Sequence, residues 1–370
     1  MRILIPTILS TKHKVGVTEY LIGLLNSLQN IDKTNEYFVI TSEENRKFFS
    51  LTNSNFHEIT VNIFDISRAS LRLQYFLFSK FRIPYLIKRY EIDLIHEPCS
   101  WFVNKRFKTI VTIHDIIEMK YSKYSFLFNF LKQKMILSSI YDSTAIISVS
   151  NQTSNEINKI NNSNITTIHN GFSALEKNGF EIDSIVLKKY NLQTKQYFIF
   201  VGTLLRHKNL LALLEAFKMF NNTNNNYKLV LAGKEGNAIK SIRNFTKKNK
   251  LDEKIILTKY FDDNEKSSLI QNAVSLLLVS KEEGFGFPIL EAQSLGVPVI
   301  TSNKSSMKEI TKKSAILVNP DSIESIADGM FEILKNVDIV SELINLGYKN
   351  ISRFSWDSTA SKTLKVYEEI

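Results

Sequence analysis

Thirteen short apolar runs, each followed by a longer helical or mixed stretch, restrict this chain more than any other feature. The first series is RILIP, YFVITS, EITVNIF, DLIHEP, TIVTIHD, AIISVS and ITTIHN. The second is YFIFVG, KLVLAG, KIILTKY, VSLLLVS, VPVITS and SAILVN. Most are continuous apolar segments and not strict alternations, the pattern of parallel strands covered on both faces. Strand-helix alternation implies βαβ units, and two successive series imply two doubly wound α/β domains. The pattern pauses between His169 and Gln196, where Gly171 and Gly179 punctuate a polar stretch. The chain, 370 residues long, is too long for one compact core and long enough for two. Open parallel sheets bind ligands beyond the carboxyl ends of their strands, so a site is expected in the cleft where the two domains face.

The stretch KEEGFGFPILEAQSLGVPVI, residues 281 to 300, carries the most chemistry. VSLLLVS reads as a buried strand and KEEGFGF as the loop leaving its carboxyl end. Pro288 fits the first position of a helix, which Gly296 ends and Pro298 keeps from continuing. Gly284 and Gly286, around Phe285, leave the backbone bare at a positive helix end, a favourable place for a diphosphate. Glu283 and Glu291 flank that bend, and carboxylates accept paired hydrogen bonds from neighbouring hydroxyls, as sugars offer. A plainer reading makes Glu291 a complement to the helix dipole and Glu283 a solvated loop acid.

YFIFVGTLLRHKNLLALLEAF runs from strand to loop to amphipathic helix, with Arg206, His207 and Lys208 in the loop. Cations at the start of a helix oppose its dipole, so an anionic partner there offsets the cost. In the first half, VTIHDI ends a strand at His114 and LIHEP ends another at His96. A histidine so placed assists proton transfer or bonds a hydroxyl; structural hydrogen bonding is the alternative for both. Gly16 and Thr18, in KVGVTEY, shape either an acceptor pocket or a turn and a helix cap.

Several chemistries lack their motifs. There is no phosphate-binding G-x-x-x-x-G-K-[ST] loop, no G-x-G-x-x-G after the first strand, no Asp-x-Asp clamp and no Cys/His cluster. A metal-free mechanism without a bound cofactor is expected. One cysteine, Cys99, fits a reducing compartment, and MRILIPTIL reads as a first strand, not a secretion signal. No apolar run reaches the roughly 20 residues of a spanning helix, so a cytoplasmic location is expected. The net charge of +10 concentrates in SRASLRLQYFLFSKFRIPYLIKRY, where Arg68, Arg72, Lys80, Arg82, Lys88 and Arg89 interleave with aromatic residues. That segment, residues 68–90, reads as an amphipathic helix on the core or as a dock for an anionic membrane on the inner face; no nucleic-acid motif accompanies it.

With those residues in view, the chain resembles the retaining glycosyltransferases of family 4, of GT-B fold. EGFGFPILEA is similar to that family's E-x7-E signature; the resemblance implies that Glu283 meets the donor sugar's hydroxyls and Glu291 the ribose. VGTLLRHKNL resembles the family's V-G-T-L-x-P-R-K-N, which implies Lys208 on the donor pyrophosphate. Arg206 stands where proline is usual, His207 where arginine is usual, and Thr203 where many relatives carry arginine; Arg206 or His207 supplies the second phosphate contact. Tyr260 joins Thr203 in the donor-binding set. His114 matches the family's strand-end histidine near the reacting centre, and Thr18 replaces the second glycine of an acceptor loop. HNG at residues 169 to 171 matches the segment before the interdomain linker, and the terminal stretch with Trp356 resembles a helix crossing back. The implied domains are residues 1–175, with 352–370 returning to them, and 176–351.

The resemblance implies transfer of a hexose from a UDP- or GDP-linked donor to a hydroxyl of a glycan or lipid-linked glycan acceptor, with retention, in surface polysaccharide synthesis. A nucleotide-sugar epimerase of the same architecture and a non-catalytic basic binding protein are the alternatives.

Overall fold

A computed structural model of the chain describes residues 1–8, 16–62, 74–121, 126–259 and 261–370, and at residues 126–128 and 263 the backbone alone. It forms two compact units, Met1–Ser173 with Phe354–Ile370, and Ala174–Arg353.

In the first unit β1 (Arg2–Pro6), β2 (Glu36–Ser42), β3 (Phe56–Val61), β4 (Leu94–Glu97), β5 (Thr109–Ile113), β6 (Ala145–Ser148) and β7 (Ile165–Thr167) form one sheet in the order β3-β2-β1-β4-β5-β6-β7. Every pairing is parallel. Helices α1 (Gly16–Ile31), α2 (Ile83–Tyr90), α3 (Phe126–Asp142) and α4 (Asn151–Asn158) connect the strands. The second unit repeats the plan with β8 (Tyr197–Val201), β9 (Lys228–Ala232), β10 (Ile255–Lys259), β11 (Ser275–Leu278), β12 (Val299–Ser302) and β13 (Ile316–Val318), in the parallel order β10-β9-β8-β11-β12-β13. Its helices are α5 (Phe180–Lys189), α6 (Leu210–Asn221), α7 (Ile239–Lys248), α8 (Asp263–Gln271), α9 (Phe287–Ser294), α10 (Ser305–Thr311), α11 (Ile323–Lys335) and α12 (Val337–Ile351). Each of the thirteen apolar runs supplies a strand, and their lack of alternation has its cause here: every residue of β5, β8 and β11 is buried, as strands covered on both faces require.

Helix α13 (Trp356–Glu368) returns to the first unit and packs along α1. Two glycines make that possible. A Cβ on Gly23 would lie 2.1 Å from the Trp356 indole, and one on Gly171 2.4 Å from it. No side chain fits at either position while the indole stays.

The strand orders place the loops that carry the candidate site residues. Each sheet reverses direction beside its first strand, between β1 and β4 in one unit and between β8 and β11 in the other. At such a reversal the two connecting helices leave on opposite faces and the strand ends open into a crevice. In the second unit the loops at that crevice are the one after β8, with Arg206 to Asn209, and the one after β11, with Glu283 to Gly286.

Candidate functional site

The loop after β8 is held by close backbone contact. Gly202 and Gly233 have φ of 146° and 151°, and a Cβ on Gly233 would lie 2.1 Å from the Gly202 carbonyl oxygen. A Cβ on Gly236 would meet the Leu204 carbonyl at 2.5 Å. The Leu204 N–H donates to the Lys234 carbonyl, and the Ala238 N–H to that of Leu204. Arg206–Lys208 then form one 3₁₀ turn, ended by Asn209 in the left-handed region at φ 59°. The Asn209 amide Nδ2 donates to the Val279 carbonyl (3.2 Å) and to the Pro320 carbonyl (2.6 Å), tying this loop to the ends of β11 and β13.

The turn sends its three basic residues in different directions. Arg206 is exposed, and its backbone N–H donates to Asn237 Oδ1. His207 is buried at 4% exposure. Lys208 reaches the loop after β11, where its Nζ lies 2.5 Å from Glu283 Oε1 and 2.6 Å from Oε2. Ser280, fully buried, donates to the same Oε1 at 2.7 Å. Burial by itself would raise the Glu283 pKa; the ion pair with Lys208, with help from Ser280 and the nearby His207, outweighs it and holds the carboxyl below its ordinary value. Glu283 is therefore a desolvated carboxylate whose two oxygens both face one ammonium.

The Glu283 main chain is anchored from α10. Its N–H donates to Ser305 Oγ at 3.1 Å, and its carbonyl accepts from Ser305 Oγ (3.0 Å) and Ser306 Oγ (2.9 Å). Gly286, at φ 105°, caps α9, whose first residue is Phe287, so Pro288 holds the second helical position and not the first. Phe285 is buried, and its carbonyl accepts from Ser306. Gly296 ends the α9 turn at φ 72°, a conformation glycine adopts without strain.

Glu291 lies on α9, facing α8. Its Oε1 is 3.0 Å from Lys266 Nζ, and both side chains are about one-sixth exposed. Glu291 is thus neither solvated nor a bare complement to the helix dipole. Two residues on, the buried Gln293 donates to the Ser314 carbonyl (3.1 Å) and hydroxyl (2.7 Å) and accepts from Asn350 (2.9 Å), which fixes how α9 sits. Thr203, in the same β8 loop, is half-buried; Tyr260 lies outside the described residues.

In the first unit His114 follows β5. Its Nε2 lies 2.9 Å from the Pro98 carbonyl, which can only accept, so the hydrogen is on Nε2. Burial pulls the pKa down to about 4 against that bond, which keeps the ring neutral and leaves Nδ1 as an acceptor. The Tyr20 ring meets His114 edge-on at 5.0 Å. His96 is a structural hydrogen-bonder: fully buried, with Nδ1 2.5 Å from the Tyr367 hydroxyl and Nε2 2.8 Å from Thr112 Oγ1. Beside it Glu97 is buried and bonded to the Tyr75 hydroxyl at 2.9 and 3.0 Å; burial pushes its pKa to about 8. Gly16 opens α1 with nothing among the described residues within 4 Å of where a Cβ would stand, whereas Thr18, two residues on, is fully buried. Thr18 therefore packs into the unit and presents no open wall.

Lys266, Ser280, Asn209 and the Ser305–Ser306 pair went unremarked in the sequence, though Lys266 and the serine pair had a local signal. Asp262 and Glu265 form a helix start that places Lys266 in the first turn of α8, and Asp262 does accept from the Glu265 N–H. TSNKSSMKE follows β12 as strand, loop and helix, a third connection at the same sheet edge. Among the described residues no three His, Cys, Asp or Glu side chains are placed to hold a metal ion, and no helix is long and apolar enough to cross a membrane.

Comparison with known proteins gives this arrangement a lineage. Over 184 residues the chain is 28% identical to the O-antigen chain mannosyltransferase B of Escherichia coli, matching 50% of this chain and 48% of that protein. It therefore spans about half the length of that relative. It is 24% identical to the O-antigen chain mannosyltransferase RfbU of Salmonella typhimurium, over 67% of this chain and 66% of that one. The solved structure of Anabaena HepE in complex with UDP and glucose superposes with a TM-score of 0.75 over the whole of both chains at 14% identity, a likeness of fold. Residues 184–350 match the family model of glycosyl transferases group 1, and residues 16–174 that of glycosyltransferase family 4. With two parallel sheets in these orders and family matches over both halves, the chain belongs to the family 4 glycosyltransferases of GT-B fold.

Proposed function

We propose that the chain transfers a hexosyl residue, mannosyl in the first instance, from a nucleoside diphosphate donor to a hydroxyl of a growing surface glycan, with retention at the anomeric carbon. The observation that carries the reading is the convergence of Lys208, Glu283 and the Gly284–Gly286 bend where the second sheet reverses. The names of the two O-antigen mannosyltransferase relatives support the sugar and the acceptor class.

In this reading Lys208 and the backbone of Gly284, Phe285 and Gly286 receive the diphosphate. Arg206, exposed beside them, is the better second phosphate contact than the buried His207. Glu283 takes the sugar hydroxyls and Glu291 the ribose. The bond from the anomeric carbon to the β-phosphate oxygen breaks, a bond to the acceptor oxygen forms on the same face, and the acceptor proton passes to the departing phosphate. Stabilising that leaving group with fixed cations needs no metal ion and is most of the catalysis. His114 accepts a hydrogen bond from a sugar hydroxyl at Nδ1, and Gly16 borders the acceptor at the start of α1. Lys208→Ala or Glu283→Ala should each lower turnover about 10²-fold or more, as lost oxyanion partners do. Sugar transfer from GDP-mannose, UDP-glucose and UDP-galactose to a lipid-linked glycan extract is the assay. Wild-type rates in both variants would refute the assignment.

The donor side is accompanied by a surface that suits a membrane-borne acceptor on the cytoplasmic leaflet. Around α2, Leu77, Phe81 and Tyr85 are about half or more exposed, with Lys80 against Phe81 and Arg82 over Tyr85 at 4.9 Å. Exposed rings among cations match an anionic bilayer surface, apolar bodies in the interface and charges at the headgroups. Arg68 and Arg72 of the same segment lie outside the described residues. Flotation with vesicles containing anionic lipid, lost in vesicles of neutral lipid and in Phe81→Glu, is the expected outcome; equal behaviour in both would remove the membrane from the reading.

A further inference from the structure

We infer that Glu283 acts as a competitor for the nucleotide as well as a holder of the sugar, so that the site discriminates an intact sugar donor from the spent nucleoside diphosphate. The inference rests on the proposed function.

The geometry is specific. Both carboxylate oxygens of Glu283 face the single ammonium of Lys208, at 2.5 and 2.6 Å, and the two side chains are 10% and 17% exposed. Ser280 and the Ser305–Ser306 anchor hold the carboxylate and its main chain where they are. Lys208 cannot therefore meet a phosphate at full strength while Glu283 keeps this grip. An incoming anion must displace a desolvated carboxylate, and that carboxylate must then find other hydrogen-bond donors or stay buried without its counter-ion, with Ser280 as its remaining side-chain donor, which is costly. A nucleoside diphosphate brings phosphate oxygens for Lys208 and nothing for Glu283. A nucleoside diphosphate sugar brings both, because its hydroxyls take over the carboxylate as its phosphates take the lysine. After transfer the hydroxyls leave with the acceptor, Glu283 keeps only Ser280 as a side-chain donor, and it reclaims Lys208 from the nucleotide. Product release is then built into the same pair that binds the donor.

Two outcomes follow. The wild-type chain should bind UDP-glucose or GDP-mannose at least tenfold more tightly than the matching UDP or GDP. Glu283→Gln keeps shape and one acceptor oxygen but removes the competing charge, so it should bind UDP or GDP at least tenfold more tightly than wild type while losing transfer. Glu283→Ser, checked for folding by its melting curve, should do the same, and Lys208→Met added to Glu283→Gln should abolish the gain. Titration calorimetry of the full chain with UDP, GDP and the two sugar nucleotides reads all of these. Wild type that binds the bare nucleotide as tightly as its sugar form, or a folded Glu283 variant whose nucleotide affinity is unchanged or weaker, overturns the inference and leaves the proposed function standing. No nucleotide binding by any form overturns both.

Discussion

Replacing Asn209 with alanine removes one amide that reaches two buried carbonyls, Val279 at 3.2 Å and Pro320 at 2.6 Å. It also leaves alanine at φ 59°, where a Cβ is disfavoured. A buried polar group stripped of its partner costs about 1 to 3 kcal/mol, and the left-handed conformation about 1 to 2 kcal/mol for a residue with a Cβ. The total for Asn209→Ala is about 2 to 5 kcal/mol. Asn209→Gly loses the same hydrogen bonds but tolerates the backbone, so it should be about 1 kcal/mol less damaging. That ordering is unusual, because glycine normally destabilises more than alanine, and it separates the conformational cost from the bonding cost. Both tryptophans, Trp101 and Trp356, lie in the first unit, so their fluorescence does not follow this change. A chain of two units also need not unfold in one step. Hydrogen exchange at the β8, β11 and β13 amides is the suitable readout. Wild-type protection in Asn209→Ala, or less protection in Asn209→Gly than in Asn209→Ala, would refute the reasoning.

Glu97, with a pKa raised to about 8, binds more protons folded than unfolded between its ordinary value and that pH, so the first unit should lose stability across that window by up to about 1.4 kcal/mol per pH unit. His96 and His114, lowered to about 3 and 4, act oppositely and add stability as pH rises toward the ordinary histidine value. Stability read from tryptophan-monitored unfolding should accordingly fall from near neutrality to pH 8, and Glu97→Gln should flatten that decline; an unchanged slope would count against it. Gly23→Ala puts a Cβ 2.1 Å from the Trp356 ring, so α13 should loosen, read as faster proteolysis of residues 354–370 and a red shift in emission. Gln293→Met leaves the Ser314 carbonyl and the Asn350 amide without their partner and should cost about 2 to 4 kcal/mol, with faster hydrogen exchange in α9 and α12 as the check.

The two sheets were legible because parallel strands buried on both faces leave continuous apolar runs, a signal that survives without knowledge of neighbours. The acidic pair around Gly284–Gly286 was legible for a related reason: glycines, a proline and a following helix start mark a strand-end loop from local chemistry alone. The partners of those acids were not. Lys266 is 25 positions from Glu291 and Ser305 is 22 from Glu283, and nothing local connects them. Nor could the basic turn be resolved, since one 3₁₀ turn sends Arg206 to solvent, His207 inward and Lys208 to the carboxylate.

Sequence by itself determined which segments become strands, where each sheet's strand-end loops begin, and which residue types those loops carry, because backbone preference and apolar burial act over a few neighbouring residues. Tertiary structure alone decided which loops meet and which charges neutralise each other. Strand order brings β8 beside β11, so that the Val274 N–H donates to the Tyr197 carbonyl 77 positions away in sequence, and ion pairing follows distance in space, which no local pattern encodes.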